Sequence, residues 1–159
     1  MKIIIVGAGK MGRYLCQILS QEDHELTLIE HDEKKLKRVT ERFDLRGIAG
    51  NGSSFNVLEE AGVEQADVFI ALTEKDTVNL TACAIAKQLG AKFTIARIRD
   101  KDYTDHGAEL RRAFGISLLI NPEILAAREI ARMIQFPAAL SVEPFAFNRV
   151  NLVEILVPE

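Results

Sequence analysis

Two groups of residues near the start of the chain have the types and spacing for chemistry. Gly7-Ala8-Gly9-Lys10-Met11-Gly12 is a G-x-G-x-x-G string, and each glycine in it answers a steric demand. Gly7 permits a tight turn, Gly9 lets the backbone approach a pyrophosphate, and Gly12 lets a helix pack close to a strand. A helix opening there aims unpaired N–H groups and the positive end of its dipole at phosphate oxygens. About twenty residues on, Glu30 offers a carboxylate that can accept the hydroxyls of a ribose. The chemistry implied is recognition of a phosphate-linked nucleoside.

Further candidates lie downstream. Asn51, in Gly50-Asn51-Gly52-Ser53, can accept a hydrogen bond from an exocyclic amino group and donate one back; the alternative is a plain Gly-Asn-Gly turn. Thr73 ends an apolar run at the edge where a pyrophosphate and a second ribose are expected, and it serves equally as a helix cap. Asp76 and Asn79 follow at positions suited to capping or packing. Asp32 either contacts the ribose or caps the next helix, capping being the simpler role. Arg97 and Arg99 share one face of their strand by alternation and meet either a ligand or the neighbouring carboxylates of Asp100 and Asp102.

Groups for bond-breaking chemistry are not recognisable. No Tyr-x-x-x-Lys pair exists, since Ile18 lies four residues after Tyr14 and Gly107 four after Tyr103. There is no G-x-S-x-G elbow and no G-x-x-x-x-G-K-[ST] loop. His24, His31 and His106 are scattered without metal-ligand spacing. Cys16 and Cys83 fall in expected helices and read as buried free thiols. The expectation is binding without catalysis and without a metal.

The elements that must position these residues are legible as alternation. Ile3-Ile4-Ile5-Val6 is a continuous β-branched run, the pattern of a parallel strand buried on both faces. Strands are expected at 2–6, 25–30, 45–49, 67–72, 93–98 and 117–120. Helices are expected after the glycine string, over 33–42, through Leu58 and Ala61 to a stop at Gly62, over 76–89 to a stop at Gly90, over 108–114, and over 123–134 behind Pro122 at the first helical position. Residues 99–107 read as a polar connection. Repeated strand–helix units of this size imply an α/β fold, a Rossmann-like doubly wound parallel sheet with helices on both faces and ligand bound where the strand order reverses. Residues 139–142 and 150–157 read as two further strands joined near Asn148-Arg149. They either open a following domain, dock on another subunit, or close the same domain as a terminal hairpin.

Composition bounds the class. A chain of 159 residues, 48% hydrophobic and 27% charged, can bury one sizeable core. A net charge of −3 gives no electrostatic reason to expect nucleic acid or an anionic membrane surface as partner. No apolar stretch approaches the roughly 20 residues of a membrane span, and Met1-Lys2 runs directly into the first strand, which leaves no room for a signal peptide. A cytoplasmic protein is expected.

Across its whole length the chain resembles the N-terminal nucleotide-binding domain of the regulatory subunits of Trk-type potassium uptake systems, the RCK or KTN family. The matching pieces run in order: Met1 to Gly9, Asp44-Leu45-Arg46, Gly50-Asn51-Gly52-Ser53, Val57 to Gly62, Asp67, Ala71-Leu72-Thr73, Asn79-Leu80, Ala96 to Arg99, Pro122-Glu123 and Ile134 to Pro137. The resemblance implies binding of NAD(H) or ATP/ADP, assembly into dimers and larger rings, and a place at the inner face of the plasma membrane beneath an integral-membrane potassium transporter subunit whose pore the domain gates. It implies a nucleotide-binding domain over 1–136, with 137–159 leading to a further domain or docking on a partner subunit, in a longer protein. The implied contacts are the turn Gly7, Gly9, Lys10, Met11 and Gly12, with Lys10 standing where many relatives carry an arginine that reaches a terminal phosphate. Glu30 stands where the family usually has aspartate. Asn51 stands where the family commonly uses an acid toward adenine, and Thr73 and Arg99 complete the set. The alternatives are the cofactor half of an NAD-dependent dehydrogenase and an assembly scaffold that binds no nucleotide.

Overall fold

The computed structural model describes residues 1–135, 139–145 and 150–155, and the chain divides into two compact units, Met1–Asn121 and Pro122–Glu159. In the first unit six strands form one sheet: β1 (Lys2–Val6), β2 (Glu25–Glu30), β3 (Arg46–Ala49), β4 (Val68–Ala71), β5 (Phe93–Arg97) and β6 (Leu118–Ile120). Their order is β3-β2-β1-β4-β5-β6, and every neighbouring pair is parallel. The order reverses between β1 and β4, so the carboxyl ends of these two strands flank the crevice expected of a doubly wound sheet.

The continuous apolar runs follow from two-sided burial. Ile4 and Val6 of β1 face one apolar layer with Phe69 and Ala71 of β4. That layer is closed by α3 (Phe55–Glu60) and α4 (Asp76–Leu89). Ile3 and Ile5 face the opposite layer, where α1 (Lys10–Leu19) contributes Cys16 and α2 (Glu33–Thr40) contributes Leu36 and Val39. Alternate residues thus point into different cores, and a polar residue at either position would leave a hydrogen-bonding group stranded. A single 3-10 turn, Val63–Gln65, follows Gly62, and the left-handed Gly62 (φ 70°) and Gly90 (φ 118°) end their helices as expected.

The polar stretch 99–107, expected as a connection, carries a short helix, α5 (Lys101–Asp105), capped by Asp100, whose carboxylate accepts from Asp102 N at 2.9 Å. α6 (Gly107–Phe114) follows. In the second unit α7 (Pro122–Gln135) begins on its proline, and β7 (Ala139–Phe145) pairs antiparallel with β8 (Val150–Ile155) in a sheet of their own. The turn anticipated near Asn148-Arg149 and the end of the last expected strand lie outside the described residues.

Candidate functional site

β1 delivers the chain into the glycine turn at the reversal point. Gly7 N donates to Ile29 O at 2.9 Å and then adopts φ 104°, a conformation glycine reaches without penalty. A Cβ on Gly12 would lie 1.9 Å from the Gly7 carbonyl oxygen, so α1 can start this close to β1 only with glycine there. A Cβ on Gly9 would meet no atom within 4 Å. The two glycines therefore do different work: Gly12 makes room for the protein's own backbone, while Gly9 borders open space. Met11 packs its side chain on the apolar layer beneath α1, and Lys10 is exposed.

Glu30 is built into this turn. It is 5% exposed, its Oε2 accepts from Ala8 N at 2.6 Å, and its Oε1 accepts from Asp32 N at 3.0 Å. His31 Nδ1 lies 2.7 Å from Oε1, with its ring largely in solvent. An ionised carboxylate has about four acceptor sites. The two backbone donors take one on each oxygen, and a ribose can use one more on each once the exposed His31 ring swings away. Asp32 caps α2 by accepting from Lys34 N at 2.9 Å and Lys35 N at 3.1 Å. The Lys35 N–H, then the Lys34 N–H and the nearby Lys35 and His31 charges, hold its carboxyl below the usual carboxylate range.

Asn51 is exposed, and its Oδ1 accepts from Ser53 N at 3.0 Å and Ser53 Oγ at 2.9 Å, closing the turn after β3. Buried Gly52 lies under this turn, where a Cβ would fall 2.1 Å from Val6 Cγ1.

On the other side of the reversal point the polar groups engage one another. Asn79 is fully buried in the first turn of α4. Its Oδ1 accepts from Thr73 N at 2.8 Å and from the Thr73 hydroxyl at 2.7 Å, and its Nδ2 donates to Thr73 O at 3.1 Å and Arg97 O at 2.9 Å. One amide thus ties the ends of β4 and β5 together. Asp76 Oδ2 accepts from Arg99 N and Asp100 N, each at 2.8 Å, and the Arg99 guanidinium donates to the Glu74 carbonyl. The bracing role of Asn79 is not readable from spacing, because one of its partners is a backbone carbonyl eighteen residues away.

The turn, Glu30 and Asn51 gather on the β1–β2–β3 side, and Thr73 and Arg99 on the β4–β5 side. Among the described residues no group of three or more His, Cys, Asp or Glu side chains is placed to hold a metal, and no helix is long and apolar enough to cross a membrane.

Comparison with known proteins gives this arrangement relatives. Residues 3–122 match the TrkA-N domain family. The Trk system potassium uptake protein TrkA homolog of Archaeoglobus fulgidus is 39% identical over 159 residues, all of this chain and 36% of that protein. The Trk system potassium uptake protein TrkA of Haemophilus influenzae is 39% identical over 158 residues, 98% of this chain and 34% of that protein. The chain thus spans about a third of the length of these curated relatives. Among solved structures, the TrkA-N domain of the Escherichia coli inner membrane protein ybaL superposes with a TM-score of 0.74 at 22% identity, covering 84% of this chain and 96% of that one. The GsuK channel bound to NAD superposes at 0.67 and 19% identity, covering 91% of this chain and 25% of that one; at these identities the likeness is one of fold. With the family match and the full-length similarity together, the chain belongs to the TrkA-N domain family.

Proposed function

We propose that this domain binds an adenine nucleotide, NAD(H) or ATP/ADP, and that binding regulates a membrane potassium transporter. The observation that carries the reading is the buried carboxylate of Glu30, held by a backbone N–H of the glycine turn twenty-two residues away. That bond sets the ribose acceptor and the phosphate-facing turn as one unit. The adenosine lies between Glu30 and Asn51, the phosphates over Gly7 to Gly12 with the N–H groups around Met11, and the remaining phosphate or second nucleoside toward Lys10, Thr73 and Arg99. The negative charge of Glu30 disfavours a 2′-phosphate. Solved structures of the same fold support the ligand class, since GsuK is described bound to NAD and to ADP, and a Kef C-terminal domain in AMP-bound form.

The curated relatives are named for potassium uptake, which supports a regulatory subunit rather than an enzyme. The nucleotide-binding domain comprises residues 1–136, and residues 137–159 lead to a further domain or dock on a partner subunit. The full protein is a homo-oligomer, a dimer or larger ring, cytoplasmic and attached to the membrane through an integral transporter subunit. A nucleotide can gate that subunit only through different affinities for two states of the ring.

Calorimetric titration with NAD, NADH, NADPH, ADP and ATP tests the reading. Binding of NADH or ATP with micromolar affinity, abolished in Glu30→Ala, is the expected result. Equal affinity in the variant overturns the assignment of Glu30, and no binding by any nucleotide returns the domain to a scaffold.

A further inference from the structure

A groove of about 690 Å³ lies between α1 and the C-terminal end of α2, and its charged lining is Lys10, Arg13, Arg38, Arg42 and Glu41. Four cations face one carboxylate. That carboxylate, Glu41, is engaged elsewhere, with Lys37 Nζ at 3.8 Å one helical turn back. Among the described residues the side chains of Lys10, Arg13, Arg38 and Arg42 have no ion-pair partner, in a chain whose net charge is −3. Tyr14 stands 65% exposed on the groove wall, and Phe43 is half-buried at its side.

We propose that this groove docks a short acidic peptide segment of a partner protein. Charge, length and shape select that occupant. The cations are mainly arginines, whose planar forks pair carboxylates through two parallel hydrogen bonds, while Tyr14 and Phe43 offer apolar surface to the methylene groups of Asp and Glu. The ten-residue α1 is about 15 Å long, which at about 3.3 Å per extended residue accommodates four or five residues. A long polyanion such as nucleic acid would meet the net negative charge of the rest of the molecule, and a recess between two helices does not match a planar bilayer. None of this depends on nucleotide binding, although Lys10 borders both the groove and the glycine turn.

The test is fluorescence anisotropy of a labelled pentapeptide of alternating Asp and Glu, titrated with the 159-residue chain at low salt. The variants are Arg38→Glu with Arg42→Glu, and separately Arg13→Glu. The control is Lys101→Glu with Arg111→Glu on the exposed faces of α5 and α6, which matches the charge change of the Arg38 and Arg42 pair, and exceeds that of Arg13→Glu, outside the groove. The expected result is saturable binding, weakened roughly tenfold by either groove variant and by about 0.3 M salt, and moved less than half as much by the control. Arg13 lies on α1, whereas Arg38 lies on α2 and Arg42 just beyond its end, so the Arg13 variant answers if the Arg38 and Arg42 pair impairs folding. No saturable peptide binding overturns the proposal, as does equal weakening by the control. Binding of inorganic tripolyphosphate or of phosphatidylglycerol vesicles in preference to the peptide also overturns it and reassigns the groove to a phosphate ligand or to a membrane.

Discussion

The two sides of the crevice are built by opposite means. On the β1–β2 side the protein shapes empty space with backbone: glycines at positions 7, 9 and 12, and a carboxylate oriented by the N–H groups of Ala8 and Asp32. On the β4–β5 side it fills space with side chains already bonded within the protein, Asn79 with the Thr73 hydroxyl and the Arg97 carbonyl, and Asp76 with the backbone N–H groups of Arg99 and Asp100. On the proposed function the first side receives the ligand's groups, while the polar groups of the second are largely committed to holding strand ends together. Recognition is therefore expected to concentrate on the first side and rigidity on the second.

Substitutions can break or sharpen this contrast. Gly12→Ala has the largest expected effect: with the new methyl 1.9 Å from Gly7 O, α1 must move away from β1, at a cost of about 3 kcal/mol. Urea denaturation measures it, and nucleotide binding falls in parallel. Asn79→Ala leaves buried groups at the ends of β4 and β5 without partners and destabilises by about 2 kcal/mol, again read by denaturation. Gly9→Ala separates site from fold. Gly9 has φ −64° and ψ −174°, which alanine adopts freely, so stability holds or rises by about 0.5 kcal/mol. The methyl occupies the phosphate approach, and affinity falls roughly tenfold, about 1.4 kcal/mol. Thr73→Val costs about 1 kcal/mol of stability but changes nucleotide affinity less than Gly9→Ala does; the reverse order would put recognition on the second side.

The smallest effect concerns the two buried thiols. Burial pushes Cys16 up to about 11 and Cys83 up to about 12, from 9.0. Raised values in the folded state mean that the unfolded chain releases these protons first as pH rises. Their contribution is intact below pH 9.0 and is lost progressively from there through the folded values. Both thiols should resist iodoacetamide in the native protein at pH 8 and react on unfolding.

Much of this is legible in the sequence. Two-sided burial writes itself as apolar runs, unbroken in β1 and β4 and interrupted in β2 only by Thr27, and the glycine spacing with Glu30 marks the β1–β2 side. The α5 helix is not legible in the sequence because five residues, none buried, are too few to display a period and reveal only a capping aspartate. The sequence pattern ends β7 at 142, since Pro144 discourages continuation, yet the strand runs to Phe145 with Pro144 opposite Asn151. On the β4–β5 side the sequence shows plausible polar residues. Their mutual engagement depends on strand ends brought together only by the sheet.

The double hold on Glu30 carries a consequence for evolution and redesign. Both carboxylate oxygens face backbone donors, Ala8 N on one and Asp32 N on the other. A glutamine would have to turn its NH2 group toward one of these N–H groups, so the residue that most resembles glutamate in shape is excluded by its hydrogen-bonding pattern. The charge at this position cannot drift to neutral by one conservative step. A descendant that exchanged its ligand for one bearing a 2′-phosphate would have to rebuild the turn and the residues after β2 together, which makes this corner resistant to gradual change in specificity.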